Sequence, residues 1–305
     1  MSTGPGGRPL LSRNLAFAVV ALLVALAAGV AGWAITRSDD HGTEILLPST
    51  VAAPTRSDDS SASETTAAAV TTPAPDLATR PVLRLLTHVP AATLASVGGG
   101  AGHPLIRVRE KAAIAKVAGK PVVLYIGAEF CPYCAAERWA LVNALSRFGT
   151  LSGLALVLSS PDDVYPSTST MTFRGVGYAS PYISFQAVET EDASHQPLQV
   201  PTARQARLWD IFTTAPHGPP NAPRRAIPLT YVAGRYFTVG SQFSTSVIAG
   251  LGHLQIARQL ADPRSAVSQN VIGAANRLTA AICAVTGNRP ASACTAAIAK
   301  IPPGV

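Results

Sequence analysis

The cysteines Cys131 and Cys134 are separated by two residues, a spacing that allows thiol–disulfide chemistry. They follow a short apolar run at 121–127, rich in β-branched and aromatic residues, which predicts a buried strand. The run that starts at Pro132 has apolar residues near helical spacing and predicts a helix. Cys131 is therefore expected at the helix N-cap, with Pro132 at the first helical position, where its missing N–H costs nothing.

This position predicts different roles for the two thiols. A thiolate at a helix N-terminus gains from unpaired backbone N–H groups and from the positive end of the helix dipole, so the pKa of Cys131 should fall below the free value of about 8.5. Cys131 is then the nucleophile. Cys134 lies one turn deeper on the same face, close enough to displace a mixed disulfide, and is predicted to be the resolving thiol.

Residues 121–134, which read PVVLYIGAEFCPYC, resemble the active-site segment of the thioredoxin superfamily. The resemblance implies a thioredoxin-like α/β fold and a redox activity, with Pro132 and Tyr133 in contact with substrate. Tyr125 departs from the pattern, because many thioredoxins carry a buried aspartate there that assists proton removal from the second cysteine. That role has no assigned residue in this chain.

The dipeptide Ile227–Pro228 precedes a predicted strand and hairpin at 229–239. It resembles the loop in which thioredoxin-like proteins carry a cis-proline beside the two cysteines, where the loop pairs with the substrate backbone. The resemblance assigns Ile227 and Pro228 to substrate binding. A trans proline is the competing interpretation, since only about 5–6% of X-Pro bonds are cis; the position before a hairpin favours cis.

A second apolar run at 154–158 predicts a strand parallel to the first, so that strand, helix and strand form a right-handed βαβ unit. Residues 160–225 contain several prolines and a Ser/Thr run, with a strand expected near 182–188 and a helix at 202–212. We interpret 160–225 as an insertion between the βαβ unit and the hairpin.

The N-terminal part contains an uncharged run at 15–35, 21 residues long and sufficient to span a bilayer core of about 30 Å. A signal peptide is the alternative, although its apolar core normally has only about 7–15 residues. Arg8 and Arg13 precede the run, and Arg37 followed by Asp39 and Asp40 comes after it, so the positive-inside rule predicts a cytoplasmic N-terminus. The sequence thus predicts a single-pass cell-membrane protein with an extracytoplasmic domain.

The composition divides the chain further. Residues 1–14 are a predicted cytoplasmic tail, and 36–79 form a Ser/Thr/Ala/Pro-rich linker that carries too little apolar surface to fold. The linker has a net charge of −5, whereas the predicted domain at 80–305 has a net charge of +10. The basic residues are scattered, so nucleic acid is not expected as a partner, although the charge would attract anionic lipid or a wall polymer.

Two helices, at 245–260 and 265–285, are predicted to close the chain on the sheet. Cys283 and Cys294 complete an even cysteine count in a domain expected outside the cytoplasm, so they are predicted to form a structural disulfide. Closing this loop would stabilise the fold by about 3 kcal/mol. A redox relay with the first cysteine pair is the alternative, but this spacing lacks the helix-cap position.

Residues 105–294 also resemble a membrane-tethered, thioredoxin-like family known as domain of unknown function 929. The resemblance is carried by residues 128–139, by the stretch GYASPYISFQAVE that ends at Glu189, and by residues 279–294. It implies the fold and the paired cysteines and supplies no substrate.

Other classes of site find little support in the sequence. The 6 histidines show no paired metal spacing, and the cysteine pair supplies only two of the four ligands of a structural zinc, so neither a metal nor a cofactor is predicted. The hydrolase patterns G-x-S-x-G and H-E-x-x-H are absent from the sequence.

Two functional hypotheses follow. The first is an extracytoplasmic thiol–disulfide oxidoreductase that acts on thiols or disulfides of exported proteins and exchanges electrons with a redox partner. The second is a non-enzymatic exported binding module, in which Cys131 and Cys134 form only a second structural disulfide. The first is favoured, because a structural disulfide gains nothing from a helix N-cap whereas a reactive thiol gains much.

Overall fold

The computed structural model describes Met1 and residues 79–109 and 113–305. The predicted span at 15–35 lies outside these residues, as do nearly all of the predicted tail and linker. Within the part of the chain that is described, no helix combines the length and the apolarity needed to cross a membrane.

The described residues form a mixed α/β structure. The α-helices are α1 (Thr79–Thr87), α2 (Ala91–Val97), α3 (Pro132–Leu145), α4 (Ala203–Thr213), α5 (His253–Gln259), α6 (Ala266–Thr286) and α7 (Ala296–Ala299). The strands are β1 (Ile106–Arg107), β2 (Lys116–Val117), β3 (Lys120–Gly127), β4 (Thr150–Ser152), β5 (Ala155–Leu158), β6 (Ser169–Thr172), β7 (Gly177–Ala179), β8 (Ser184–Glu189), β9 (Leu229–Val232) and β10 (Tyr236–Val239).

Strand β3 is the centre of the main sheet. It pairs in parallel with β8 and antiparallel with β9, and β9 continues through β10 to β1, while β2 pairs with the first two residues of β3. The apolar run predicted as a buried strand is confirmed, since seven of the eight positions of β3 are buried. The hairpin predicted at 229–239 is confirmed as β9 and β10.

The predicted parallel partner of β3 at 154–158 is wrong. This run forms β5, which pairs antiparallel with β6 in a separate two-stranded sheet, and Leu158 at its end is 47% exposed. A parallel strand in an α/β sheet has both faces covered, a condition that β5 does not meet. The parallel partner is β8, which lies inside the predicted insertion at 160–225, so this range supplies a strand to the central sheet.

Helix prediction succeeded where capping signals are local. The helix expected at 202–212 is α4, whose N-cap Thr202 forms a capping box with Gln205. The helix expected at 265–285 is α6, which ends at Gly287 in the left-handed conformation, φ 67° and ψ 42°.

The single helix predicted at 245–260 is wrong. The structure has a 3₁₀ turn, Thr245–Val247, and then α5 from His253 onward. Gly250 between them has a φ of 73°, a left-handed conformation that ends a right-handed helical run, and Gly252 is the N-cap of α5.

The core lies on both faces of the main sheet. Helices α3 and α6 pack against each other in the larger apolar cluster, and α4 covers the other face through Trp209 and Phe212. Of the residues of α3, only Tyr133 is not buried. A helix with so little solvent contact holds its N-terminus in a fixed place above the sheet.

Candidate functional site

The N-terminus of α3 carries the two free cysteines. Cys131 is the N-cap, with φ −76° and ψ 120°, and its Sγ accepts a hydrogen bond of 3.2 Å from the backbone N–H of Cys134. Pro132 occupies the first turn, as predicted from the sequence. Cys131 is 4% exposed and Cys134 is fully buried, so a partner molecule can reach only the first sulfur.

The two thiols have opposite pKa shifts. The hydrogen bond from the Cys134 thiol is the largest influence that lowers the pKa of Cys131, and the backbone N–H groups of Cys134 and Tyr133 and the charge of Arg138 lower it further against the opposing effect of burial. Burial raises the pKa of Cys134 well above its usual value, and the hydrogen bond to Cys131 adds to this. Cys131 is thus the more acidic thiol of the pair, and Cys134 is the thiol that holds its proton more tightly.

A buried ion pair lies beneath the cysteines, and it was not predicted from the sequence. Arg138 donates from Nε to Glu189 Oε1 at 2.9 Å and from Nη2 to Glu189 Oε2 at 2.7 Å, and both side chains are fully buried. Arg138 Nη2 also donates to the carbonyl of Ala128 at 2.6 Å. The pair joins α3 to the last residue of β8, 51 positions along the chain, and no local pattern links these positions.

Tyr125 occupies the floor of the site. Its side chain is fully buried, its hydroxyl has no hydrogen-bond partner among the described residues, and its ring lies 5.7 Å from the guanidinium carbon of Arg138. Burial raises its pKa well above 10.0, so the phenol stays neutral at physiological pH and cannot act as a carboxylate base would.

Gly127 makes room for these groups. A Cβ at this position would lie 2.1 Å from the Tyr125 hydroxyl and 3.0 Å from Cys134 Sγ. The absence of a side chain therefore allows the tyrosine hydroxyl and the resolving sulfur to approach the end of β3 from the same side.

Glu137 provides a second buried acid next to the site. Its Oε1 accepts a 3.0 Å hydrogen bond from Thr230 Oγ1 on β9, and its Oε2 accepts a 3.0 Å bond from the backbone N–H of Gln242. Burial raises its pKa to about 7. The carboxyl ties α3 to the strand that follows Pro228.

The predicted substrate loop lies at the same sheet edge as the cysteines. The Ile227–Pro228 peptide is cis, as predicted. Leu229 is the register partner of Ile126, so Pro228 stands beside the end of β3, where the chain turns toward Cys131. Ile227 is half-buried and packs against both apolar clusters.

The two other predicted contact residues differ in exposure. Pro132 is buried, and its carbonyl accepts a hydrogen bond of 3.3 Å from Thr245 Oγ1. Tyr133 is 43% exposed and lies 6.2 Å from the ring of Tyr165 in an edge-to-face arrangement. Of the two, Tyr133 is thus accessible to a partner molecule.

Two loops contact Phe130, the residue that precedes Cys131. The loop after β5 is joined to it by the N–H of Ser160, which donates to the carbonyl of Phe130 at 2.9 Å. The loop after β8 contributes His195, whose ring stacks on Phe130 with 4.1 Å between centroids. Ser160 and His195 both lie in the range interpreted as an insertion, to which the sequence assigned no role at the site, because their contacts are not encoded in local spacing.

The second cysteine pair lies elsewhere. Cys283 and Cys294 form a disulfide with 5.6 Å between their Cα atoms, which confirms the predicted bond between the end of α6 and the segment before α7. Within the described residues, no group of three or more His, Cys, Asp or Glu side chains is arranged to hold a metal ion.

The fold and the site define a mixed α/β domain that presents a buried dithiol at a helix N-terminus. The chain matches the family described as Domain of unknown function (DUF929) over residues 113–284, and it belongs to that family. The match includes both free cysteines, Arg138, Glu189 and Pro228. Comparisons with curated proteins and with solved structures found no match.

Proposed function

We propose that this protein is a membrane-anchored, extracytoplasmic thiol–disulfide oxidoreductase that acts on cysteines of exported proteins. The observation that carries the proposal is the asymmetry of the dithiol: Cys131 caps α3 and has a lowered pKa, whereas Cys134 is fully buried with a raised pKa. This division suits a nucleophile and a resolving thiol.

The chemistry needs no cofactor. The Cys131 thiolate attacks one sulfur of a partner disulfide, the partner's other sulfur leaves as a thiolate, and a mixed disulfide forms. Cys134 then gives up its proton and attacks Cys131 Sγ, which releases the partner as a dithiol and leaves a Cys131–Cys134 disulfide. The reverse sequence transfers the disulfide to a partner.

A relationship to the thioredoxin fold is part of the proposal. It is supported by the β3–α3–β8 parallel unit with cysteines at the start of its helix, and by the antiparallel β9–β10 hairpin that follows Pro228. In this arrangement Ile227 and Pro228 would pair with an extended substrate, and Tyr133 would contact its side chains.

The location is also proposed. The uncharged run at 15–35 and the arginines before it support a single span with the domain outside the cytoplasm. The Cys283–Cys294 disulfide supports an oxidising compartment. A separate redox partner would restore the oxidation state of the site after each cycle.

Trapping of mixed disulfides in cells tests this function. Full-length Cys134→Ser cannot resolve the intermediate, so it should accumulate mixed disulfides with exported proteins on non-reducing gels. Cys131→Ser and the double variant Cys131→Ser/Cys134→Ser are the matched controls and should form none. Exchange activity that survives Cys131→Ser would contradict the proposal.

A second candidate is a non-enzymatic exported binding module with the same fold, favoured by the 4% exposure of Cys131. In that case Cys131→Ser removes no exchange activity and instead lowers the free energy of unfolding of the oxidised protein, because a structural disulfide is lost. Chemical denaturation of the same variants separates the two candidates.

A further inference from the structure

We propose that the buried Arg138–Glu189 pair stabilises the reduced form of the Cys131–Cys134 site, so that the site is a disulfide donor that oxidises dithiols of exported proteins. This inference rests on the proposed function and adds the direction of electron flow and the class of substrate. Arg138 is a positioning residue in this scheme, because it acts through the cysteines without touching the partner.

The first step of the argument is the placement of the charge. Arg138 is four residues after Cys134 in α3, so both side chains lie on the same face of the helix, one turn apart. Arg138 Nη2 also donates to the carbonyl of Ala128 at 2.6 Å, and the backbone of Ala128 lowers the pKa of Cys134. The guanidinium thus fixes the backbone turn that surrounds the buried sulfur.

The second step compares the hydrogen bonds of the Glu189 carboxylate with those of the Arg138 guanidinium. Both oxygens of Glu189 accept from Arg138, and Oε1 also accepts from the N–H of Phe173 at 3.1 Å. Arg138 retains one donor, Nη1, that is buried and has no hydrogen-bond partner among the described residues. The guanidinium charge contributes to the lowered pKa of Cys131 and partly opposes the rise that burial causes in the pKa of Cys134, so it acts in favour of the thiolate form at both sulfurs.

The third step links this charge to redox direction. Thiolates exist only in the reduced form of the pair, so a buried cation that stabilises them makes the disulfide a stronger oxidant. The other ionisable group on the floor of the site, Tyr125, is neutral, and Glu137 is engaged with Thr230 and Gln242. Among the described residues, Arg138 is the cation whose charge acts on both sulfurs.

The thiol–disulfide exchange conserves atoms and electrons without a cofactor. One thiolate of the substrate attacks Cys131 Sγ of the oxidised site, the Cys131–Cys134 bond breaks, and Cys134 leaves as a thiolate that takes up a proton. The second substrate thiolate then attacks the substrate sulfur of the mixed disulfide and releases Cys131. Two electrons pass from the substrate dithiol to the site, and a disulfide of the redox partner reoxidises it.

The experiment compares full-length wild type with Glu189→Gln and with Arg138→Met/Glu189→Gln in glutathione redox buffers, with alkylation of Cys131 and Cys134 mapped by mass spectrometry. Glu189→Gln leaves the guanidinium uncompensated and should favour the reduced site several-fold. The double variant removes both charges and should disfavour it about tenfold, equivalent to about 30 mV. Arg147→Met removes a buried guanidinium near the opposite end of α3, about 20 Å from Cys131, and should change nothing.

A merely structural role predicts shifts of the same sign in both variants, because each would loosen the same helix cap. Shifts of the same sign, or an unchanged equilibrium in the double variant, would overturn the role of Arg138. If the double variant does not fold, a Glu189→Gln site that is unchanged or shifted toward the disulfide overturns the role of Arg138.

A synthetic peptide with two cysteines tests the direction. The oxidised wild type should convert the reduced peptide to its disulfide, with the equilibrium on that side; a site that stays oxidised beside the reduced peptide overturns the disulfide-donor assignment. No exchange at all in the wild type, with Cys131 left unmodified, indicates instead that the proposed function fails.

Discussion

Glu137 and Arg138 are neighbours on α3 whose charges meet different surroundings. Arg138 has a carboxylate partner in Glu189 at the end of β8, whereas among the described residues Glu137 has neutral hydrogen-bond donors, Thr230 on β9 and the backbone N–H of Gln242. The two side chains thus connect α3 to the strands on either side of β3. Without a cation, the Glu137 carboxylate is destabilised by burial, which raises its pKa to about 7.

The stability of the protein should therefore fall as the pH rises through neutrality. The pKa of Glu137 in the folded state, about 7, exceeds its ordinary value of 4.5, so the folded state holds the proton more tightly. The stabilising contribution is fully present below pH 4.5 and is lost as the pH rises through about 7. At about 1.4 kcal/mol per pH unit, the change amounts to about 3 kcal/mol.

The substitution Glu137→Gln should remove this pH dependence. The amide oxygen can accept from Gln242 N–H and the amide N–H can donate to the Thr230 hydroxyl, so the local hydrogen bonds survive the change. Urea unfolding of the full-length chain at pH 5 and pH 8 measures the effect. Asp162→Asn, at an exposed carboxyl, is the matched control and should keep the wild-type slope. An undiminished slope in the Glu137→Gln variant would rule out Glu137 as its source.

At the scale of elements, the packing of α6 against α3 and the Cys283–Cys294 disulfide hold the C-terminal part of the fold together. Helix α6 packs on α3 and carries Cys283 in its last turn, and the disulfide to Cys294 ties the segment before α7 to it. The bond closes a loop with a sequence separation of 11. Such a cross-link stabilises mainly by restricting the unfolded chain.

The variant Cys283→Ser/Cys294→Ser should lower the free energy of unfolding by about 3 kcal/mol and leave thiol exchange at Cys131 intact. Guanidinium unfolding of the full-length protein is the measurement. The wild type unfolded in the presence of a strong reductant is the control and should approach the variant. Loss of exchange activity in a variant that remains folded would instead favour a relay between the two cysteine pairs.

At the scale of the whole molecule, charge and hydropathy divide the chain into a predicted anchor, linker and basic domain. Apart from Met1 and Thr79, the described residues belong to the predicted domain, and the run at 15–35 is the feature that would attach it to a membrane.

Full-length protein should remain in the membrane fraction after an alkaline wash, and Leu23→Arg/Leu26→Arg should release it. Each arginine at the centre of a span costs about 2.5–3.5 kcal/mol of insertion free energy. Leu23→Ile/Leu26→Ile is the matched apolar control and should stay in the membrane fraction. A wild-type protein whose mature N-terminus lies after residue 35 would show that the run is a cleaved signal peptide.

The sequence by itself predicted the features that depend on neighbours in the chain. The Cys131 cap, the first-turn Pro132, the ends of α4 and α6 and the Cys283–Cys294 bond each follow from residues within a few turns of one another. Local hydrogen bonds and local loop closure fix such features, whatever the rest of the chain does.

Only the tertiary structure decided which strand accompanies β3 and what lies beneath the cysteines. The run of β5 is the more apolar of the two, yet β8 is the strand that pairs with β3, with Val188 buried beside Trp209 and Phe212 of α4. Arg138 and Glu189 meet for the same reason, because the register of β8 against β3 brings Glu189 opposite Gly127 at the end of the strand. Strand register and buried charge pairs are settled by packing between segments far apart in sequence, and no local spacing records them.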